Sequence, residues 1–169
     1  FQQQARHVAH QLQARTAPLR AHPWGVTELS IDRDLLAAGR FALSAATGVL
    51  EDGTTFSIPG SVDAPLPLDL PEGTRNAVIY LALPLRQDGS PEVTSAALGP
   101  DEVRARYGLH SFEAYDTHSD STISAELGVG RLRLRYLLDS DERAGYSCLG
   151  LARVVEVQAD RRVFLDDRF

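Results

Sequence analysis

At 169 residues, with 43% hydrophobic and 24% charged side chains, the chain is long and apolar enough for one domain with a real core, which excludes a disordered chain. No apolar run approaches the roughly 20 residues of a membrane-spanning helix, so direct membrane insertion is not expected. A net charge of −6 argues against bulk nucleic-acid binding, which needs a basic face.

The one cysteine, Cys148, has no internal disulfide partner, in keeping with a reducing compartment. All seventeen basic residues are Arg, a bias that a GC-rich genome explains simply. The Gln-rich opening lacks a signal-peptide pattern. With no Met in the sequence, either the start was removed or the chain is a fragment.

In chain order, residues 1–19 predict a helix. Phe1, Ala5, Val8 and Leu12 follow a 4-3-4 spacing on one face, and Pro18 and Pro23 end the pattern. That narrow apolar stripe must pack on its own sheet or on a neighbouring subunit. From Trp24 the period changes to two: Trp24, Val26, Leu29 and Ile31 anchor a strand, with a slip at Thr27-Glu28 that fits a bulge. Trp24 reads as a core anchor where the helix hands over to the sheet. Residues 32–39 predict a single helical turn, with Asp32 as N-cap and Gly39 as the left-handed stop.

Residues 40–50 resume as a strand. Glu51-Asp52-Gly53-Thr54 predicts a type I′ hairpin, and residues 55–58 return. The four prolines between residues 59 and 76 predict an irregular connection. Residues 77–83 are apolar on both faces and predict a strand covered on both sides, by the core and by either the first helix or a partner. Residues 101–107 and 111–116 predict two strands, and 117–124 a turn-rich polar segment. Residues 131–137 predict one strand, with Leu132, Leu134 and Tyr136 inward and Arg131, Arg133 and Arg135 outward. After a polar loop at 139–145, residues 147–158 predict a long strand, 159–162 a turn and 163–165 the return. The fold class is mainly β: an antiparallel β-sandwich with a short N-terminal α-helix. Residues 1–22 form the helix and connection, and residues 23–169 the sandwich.

Motifs for chemistry are weak, and neither a catalytic centre nor a cofactor is expected. His7, His10 and His22 lack a His-Glu-x-x-His frame, and read as solvent-facing. Asp139-Ser140-Asp141-Glu142 opens like a calcium loop, but Arg143 and Ala144 stand where a ligand and a Gly belong. Gly145 to Gly150 has the wrong spacing for a nucleophile elbow, and Cys148 reads as a core thiol. Gly128-Val129-Gly130 opens a strand and is no dinucleotide loop. Asp116 and His118 suit acid–base work, as in a hydrolase, or simply cap a loop. The outward Arg stripe suits pairing with acidic residues or docking on an acidic protein.

Several segments resemble the TssK family, also called ImpJ or VasE, the trimeric baseplate subunit of the bacterial type VI secretion system. They are Phe1-Gln2-Gln3-Gln4, Pro23-Trp24-Gly25-Val26, Glu28-Leu29, Ile31-Asp32, Leu35-Leu36 with Gly39, Gly48-Val49-Leu50, Asp52-Gly53-Thr54, Phe56 and Pro59. Leu81-Ala82-Leu83-Pro84, Tyr115-Asp116, Gly130-Arg131-Leu132-Arg133-Leu134 and Ala152-Arg153-Val154 continue the pattern in consistent order. The resemblance implies the N-terminal shoulder domain, a β-sandwich akin to phage receptor-binding-protein shoulders. The residues before Phe1, the helical neck and the C-terminal head of the family are then absent.

It further implies a structural adaptor with no enzymatic activity. The shoulder binds the TssF–TssG wedge of the baseplate at the cytoplasmic side of the inner membrane. The full-length protein is a homotrimer, and its head links to the membrane complex. A carbohydrate-binding β-sandwich is the alternative reading. The unmatched apolar faces and turns place the expected protein interface at Phe1, Val8 and Leu12 of the helix, and at Asp32, Asp34, Asp52 and Gly53 in the turn-and-hairpin region.

Overall fold

The computed structural model describes residues 4, 7, 8, 11, 12, 14, 15, 21–87, 89, 92–95, 105–115 and 124–169. The described residues among the first fifteen are helical and exposed. After them come β1 (Gly25–Ile31), a one-turn helix (Arg33–Ala37), β2 (Arg40–Phe41), β3 (Leu43–Val49) and β4 (Thr55–Ile58). The chain continues through β5 (Leu68–Asp69), β6 (Arg75–Pro84), β7 (Val93–Ser95), β8 (Tyr107–Tyr115) and β9 (Ser124–Leu132). It ends with β10 (Arg135–Leu138), β11 (Tyr146–Val157) and β12 (Val163–Leu165).

Two antiparallel sheets make the sandwich, in strand orders β1-β3-β4 and β10-β6-β11-β12. Their inward residues fill one core: Phe41, Leu43, Ala46, Phe56 and Ile58 from the first side, and Ile79, Leu81, Leu83, Leu149, Leu151 and Val154 from the second. β2 pairs with β5 inside the proline-rich connection. β9 pairs antiparallel with β8, and β7 lies parallel to β8 in a further three-stranded sheet. The mainly β, antiparallel architecture and the short helix match the expectation.

Local detail agrees at several points. The slip at Thr27-Glu28 is a register shift between Val26 and Glu28 in the β1–β3 ladder. The long strand and its return occur as β11 and β12, joined by a turn with Arg161 at φ 66.

Other expectations are corrected. Trp24 lies outside β1, is 41% exposed and stands edge-on to His22 at 6.0 Å. β1 is an edge strand entered from solvent, and Phe41 and Phe56 already fill the core beneath it. Of the strands expected at residues 101–107 and 111–116, residues 101–104 and 116 lie outside the described residues; Ala105 and Arg106 precede β8, which starts at Tyr107 and runs to Tyr115 without the expected break at residues 108–110. The single strand expected at residues 131–137 is broken at Arg133-Leu134, where the chain leaves the β8–β9 sheet and joins β6. Leu134 and Tyr136 still point inward, so the alternation survives the change of sheet. Cys148 pairs opposite Ala82 on the outer face of β11 and is only partly buried. Burial pushes its thiol pKa up.

Tyr136 ties the two sheets together. Its ring meets Phe41 edge-on at 5.3 Å, and its hydroxyl accepts the Leu43 N–H at 3.0 Å. Burial pushes the phenol up to about 12, against the opposing effect of the Leu43 N–H. Tyr136→Phe leaves that N–H buried and unpaired, and is expected to cost about 1–3 kcal/mol in chemical denaturation. Because the folded pKa is raised, this tyrosine's contribution is fully present below pH 10 and is lost as pH rises from 10 to about 12. The Phe variant lacks that alkaline decline.

Candidate docking interface

Local rules build the turn after β1. Asp32 leaves the strand in extended conformation, and its carboxylate accepts the N–H groups of Asp34 and Leu35, each at 3.0 Å. These are donors that a first helical turn leaves without partners. Asp34 adds a carboxylate to the same turn, where the exposed N–H groups favour negative charge. Gly39 ends the turn at φ 78, the left-handed region that favours glycine. Asp32→Ala is therefore expected to lower stability by about 1 kcal/mol in urea denaturation.

The turn is pressed against the β11–β12 hairpin: a Cβ on Gly39 would lie 3.1 Å from the Arg161 Cβ. Two edge strands, β1 and β12, therefore flank an open groove of about 790 Å³. Its walls include Leu29, Leu36, Val163 and Phe164, with Arg33, Arg162 and Asp167 supplying charge. Leu29 and Phe164 are exposed.

The hairpin lies at the other end of β3. β3 pairs Leu43 with Ile31 beside the helical turn and Val49 with Gly25 beside the hairpin, a span of about 20 Å at the usual strand rise. Asp32 and Asp34 are thus separated from Asp52 and Gly53. The hairpin exists, but not as type I′. Gly53 alone takes positive φ, at 80. The Gly53 N–H bonds to Leu50 O and the Leu50 N–H to Thr54 O. This is a type I turn followed by a left-handed glycine, favoured here because the Asp52 carboxylate accepts the Thr54 N–H at 3.0 Å.

Arg106 makes Asp52 part of the frame. Its side chain is 3% exposed and donates to Asp52 Oδ2 at 2.7 Å, to Pro84 O at 2.8 Å and to Thr54 Oγ1. Burial raises the Asp52 carboxyl, but the Thr54 N–H and the Arg106 guanidinium outweigh it and hold it below its ordinary value. Arg106 escapes sequence reading because it belongs to no motif, and the strand expected over residues 101–107 did not mark it: in the structure it lies just before β8. Its one trace is the carboxylate in the hairpin turn.

Val8 and Leu12 are helical and 50% and 60% exposed, while Phe1 lies outside the described residues. His7 Nε2 lies 2.9 Å from Gln11 Nε2, and His10 is outside the described residues. So are Asp116 and His118. Among the described residues, no group of three or more His, Cys, Asp or Glu side chains is placed to hold a metal ion. No helix among them is long and apolar enough to cross a membrane. In the Arg stripe, Arg131 pairs with Asp63 at 2.6 Å and Arg135 donates to the Tyr146 hydroxyl at 3.1 Å.

Residues 1–169 match the family described as bacterial type VI secretion, EvfL, ImpJ and VasE. The chain belongs to this family. It is similar to the type VI secretion system baseplate component TssK1 of Pseudomonas aeruginosa, at 36% identity over 171 residues, covering 100% of this chain and 38% of that protein. It is also similar to a crystal structure of TssK, with TM-score 0.89 and 34% identity over 98% of this chain and 37% of that one. A chain of the cryo-electron-microscopy structure of the TssK-TssF-TssG baseplate subcomplex matches at TM-score 0.82 and 25% identity, over 100% of this chain and 55% of that one. The chain thus spans 38% of the length of its curated ImpJ/VasE-family relative. The family segments meet in the structure: Gly48-Val49-Leu50 and Asp52-Gly53-Thr54 form β3 and its hairpin, and Leu81-Ala82-Leu83-Pro84 lies in β6, the partner of both β10 and β11.

Proposed function

We propose that this chain is a structural component of a type VI secretion baseplate, without catalytic activity, and that it is the shoulder domain that docks onto a TssF–TssG wedge. The observation that carries the reading is the likeness of all of this chain to a chain of the TssK-TssF-TssG subcomplex. In this reading residues 23–169 are the docking body and residues 1–22 a helical lead-in. A neck and head elsewhere in the full-length protein carry trimer contacts and the link to the membrane complex, at the cytoplasmic side of the inner membrane.

The groove between β1 and β12 suits such docking. It is partly apolar, partly charged, and lined by two edge strands. Val8 and Leu12, the Asp32–Asp34 turn and the Asp52–Gly53 hairpin are the further contact candidates.

The test is affinity capture with TssF and TssG from the same organism. Retention of the pair is expected, and Leu36→Asp or Phe164→Asp in the groove should weaken it about tenfold or more. Failure of a folded protein to retain either subunit defeats the docking reading. Retention unaffected by both groove variants defeats the groove as its site.

A further inference from the structure

The outer face of the β10-β6-β11-β12 sheet carries an arrangement that the core does not require. Tyr80 on β6 points away from the core, since its neighbours Ile79 and Leu81 are buried within it. Opposite Tyr80 lies Gly150 on β11, and a Cβ there would meet the Phe169 ring at 3.1 Å and the Tyr80 ring at 3.9 Å. The glycine thus lets two aromatic rings close over one strand.

Each ring carries an arginine. The Arg143 guanidinium lies 4.5 Å from the Tyr80 ring centre, and that of Arg153 lies 5.4 Å from Phe169. A third stack, Arg135 on Tyr146 at 5.8 Å, stands on the same face. Among the described residues no carboxylate forms an ion pair with Arg143 or Arg153. The buried Arg153 Nε has no hydrogen-bond partner among the described residues. In a chain of net charge −6, two such arginines side by side are conspicuous.

A guanidinium over a ring face can still donate its terminal N–H groups to a carboxylate, and a planar fork can do so in bidentate fashion. Phe169, 51% exposed, and Val155, 50% exposed, add apolar surface beside it. Arginine and aromatic residues together are the composition of energetically dominant interface patches.

We propose that this face binds an acidic segment of a partner protein. Asp or Glu side chains of that segment pair with Arg143 and Arg153, and its apolar residues cover Phe169. Positive charge on an otherwise acidic chain supplies the complementarity, and the exposed apolar flank favours a peptide over a bare anion. This inference does not depend on the baseplate reading.

The test is fluorescence-anisotropy titration of the full chain with a labelled Glu-Phe-Glu-Glu-Phe-Glu peptide. Its Gln-for-Glu counterpart should bind about tenfold more weakly, as should the double variant R143Q/R153Q toward the acidic peptide. R143K/R153K keeps the charge and loses the planar fork, so an intermediate loss of about threefold is expected. That variant also decides the matter if the glutamine pair fails to fold. R131Q, altered on the β8–β9 sheet, should leave peptide affinity unchanged. Equal binding of the acidic and Gln peptides, or binding indifferent to both double variants, overturns the proposal. So does arginine-dependent binding of phosphatidylglycerol vesicles in place of the peptide, which would assign the face to a lipid headgroup.

Discussion

Gly48→Val is expected to abolish the cooperative unfolding transition, and Gly48→Ala to lower stability by about 2–4 kcal/mol. Gly48 sits in β3, where its neighbour β1 crosses closely. A Cβ there would lie 2.5 Å from Gly25 O and 2.9 Å from the Phe56 Cζ. Neither neighbour has room to give way. Gly25 O belongs to the β1 backbone, whose Gly25 and Val26 pair with Val49 and Gly48, and Phe56 is 2% exposed at the centre of the core. A methyl group must therefore open the β1–β3 ladder or displace a packed ring, and a branched side chain must do both. Gly108→Ala in β8 is the matching control. Its nearest atom, Arg133 Cγ, is at an ordinary 3.7 Å, so a change within about 1 kcal/mol is expected. Urea denaturation of the three variants checks this. Equal, small effects at both positions would show that β1 does not press on β3 as described.

Arg106→Leu should be comparably damaging, by about 3–5 kcal/mol at neutral pH. The substitution takes the guanidinium from the Asp52 carboxylate, which keeps the Thr54 N–H, and leaves Pro84 O without the Arg106 donor. A double substitution, Arg106→Leu with Asp52→Asn, should recover part of the loss, since the half-buried charge that lost its guanidinium is gone.

The pH dependence carries a sign that can be checked. In the wild type the folded Asp52 pKa lies below its ordinary 3.8. Its contribution is therefore present above pH 3.8 and is lost as pH falls through the lower, folded value. In Arg106→Leu the guanidinium is gone and burial presses the carboxyl upward. The Thr54 N–H still opposes it, so the Asp52 pKa rises above its wild-type value and the stability that Asp52 contributes at neutral pH shrinks. The gap between the two proteins should narrow below about pH 4. Denaturation midpoints taken from pH 3 to 7 report it directly, and a gap independent of pH would dismiss the Arg106–Asp52 coupling.

Neither prediction was legible in the sequence, and the reason is the range of the contacts. Arg106 meets Asp52 across 54 residues of chain, and Leu43 meets Tyr136 across 93. Periodicity reports only which side of its own strand a residue occupies. It does not say which second sheet will cover that side, or where the chain will change sheets. The break at Arg133-Leu134 is such a case: the apolar alternation continues through it unchanged, while hydrogen bonding passes from β8 to β6. Cys148 and Trp24 are further cases. Both have apolar neighbours, yet one faces the outer side of β11 and the other precedes an edge strand. The candidate interface divides in the same way. Its turn and hairpin were readable residue by residue, but their separation by the length of β3, and the groove beside only one of them, were not.

By itself the sequence determined what depends on neighbours in the chain. That includes the Asp32 cap and Gly39 stop, the bulge at Thr27-Glu28, the hairpin at Asp52-Gly53, the long strand and its return, the mainly β class and the family. These follow from hydrogen bonds within a few residues and from side-chain alternation, both of which are written locally. The tertiary structure alone decided the burial of Arg106, the closeness of β1 to Gly48, the groove between β1 and β12, and the stacked arginines over Tyr80 and Phe169. Each of these requires two distant segments to meet, and only the packing of the sheets determines which segments do.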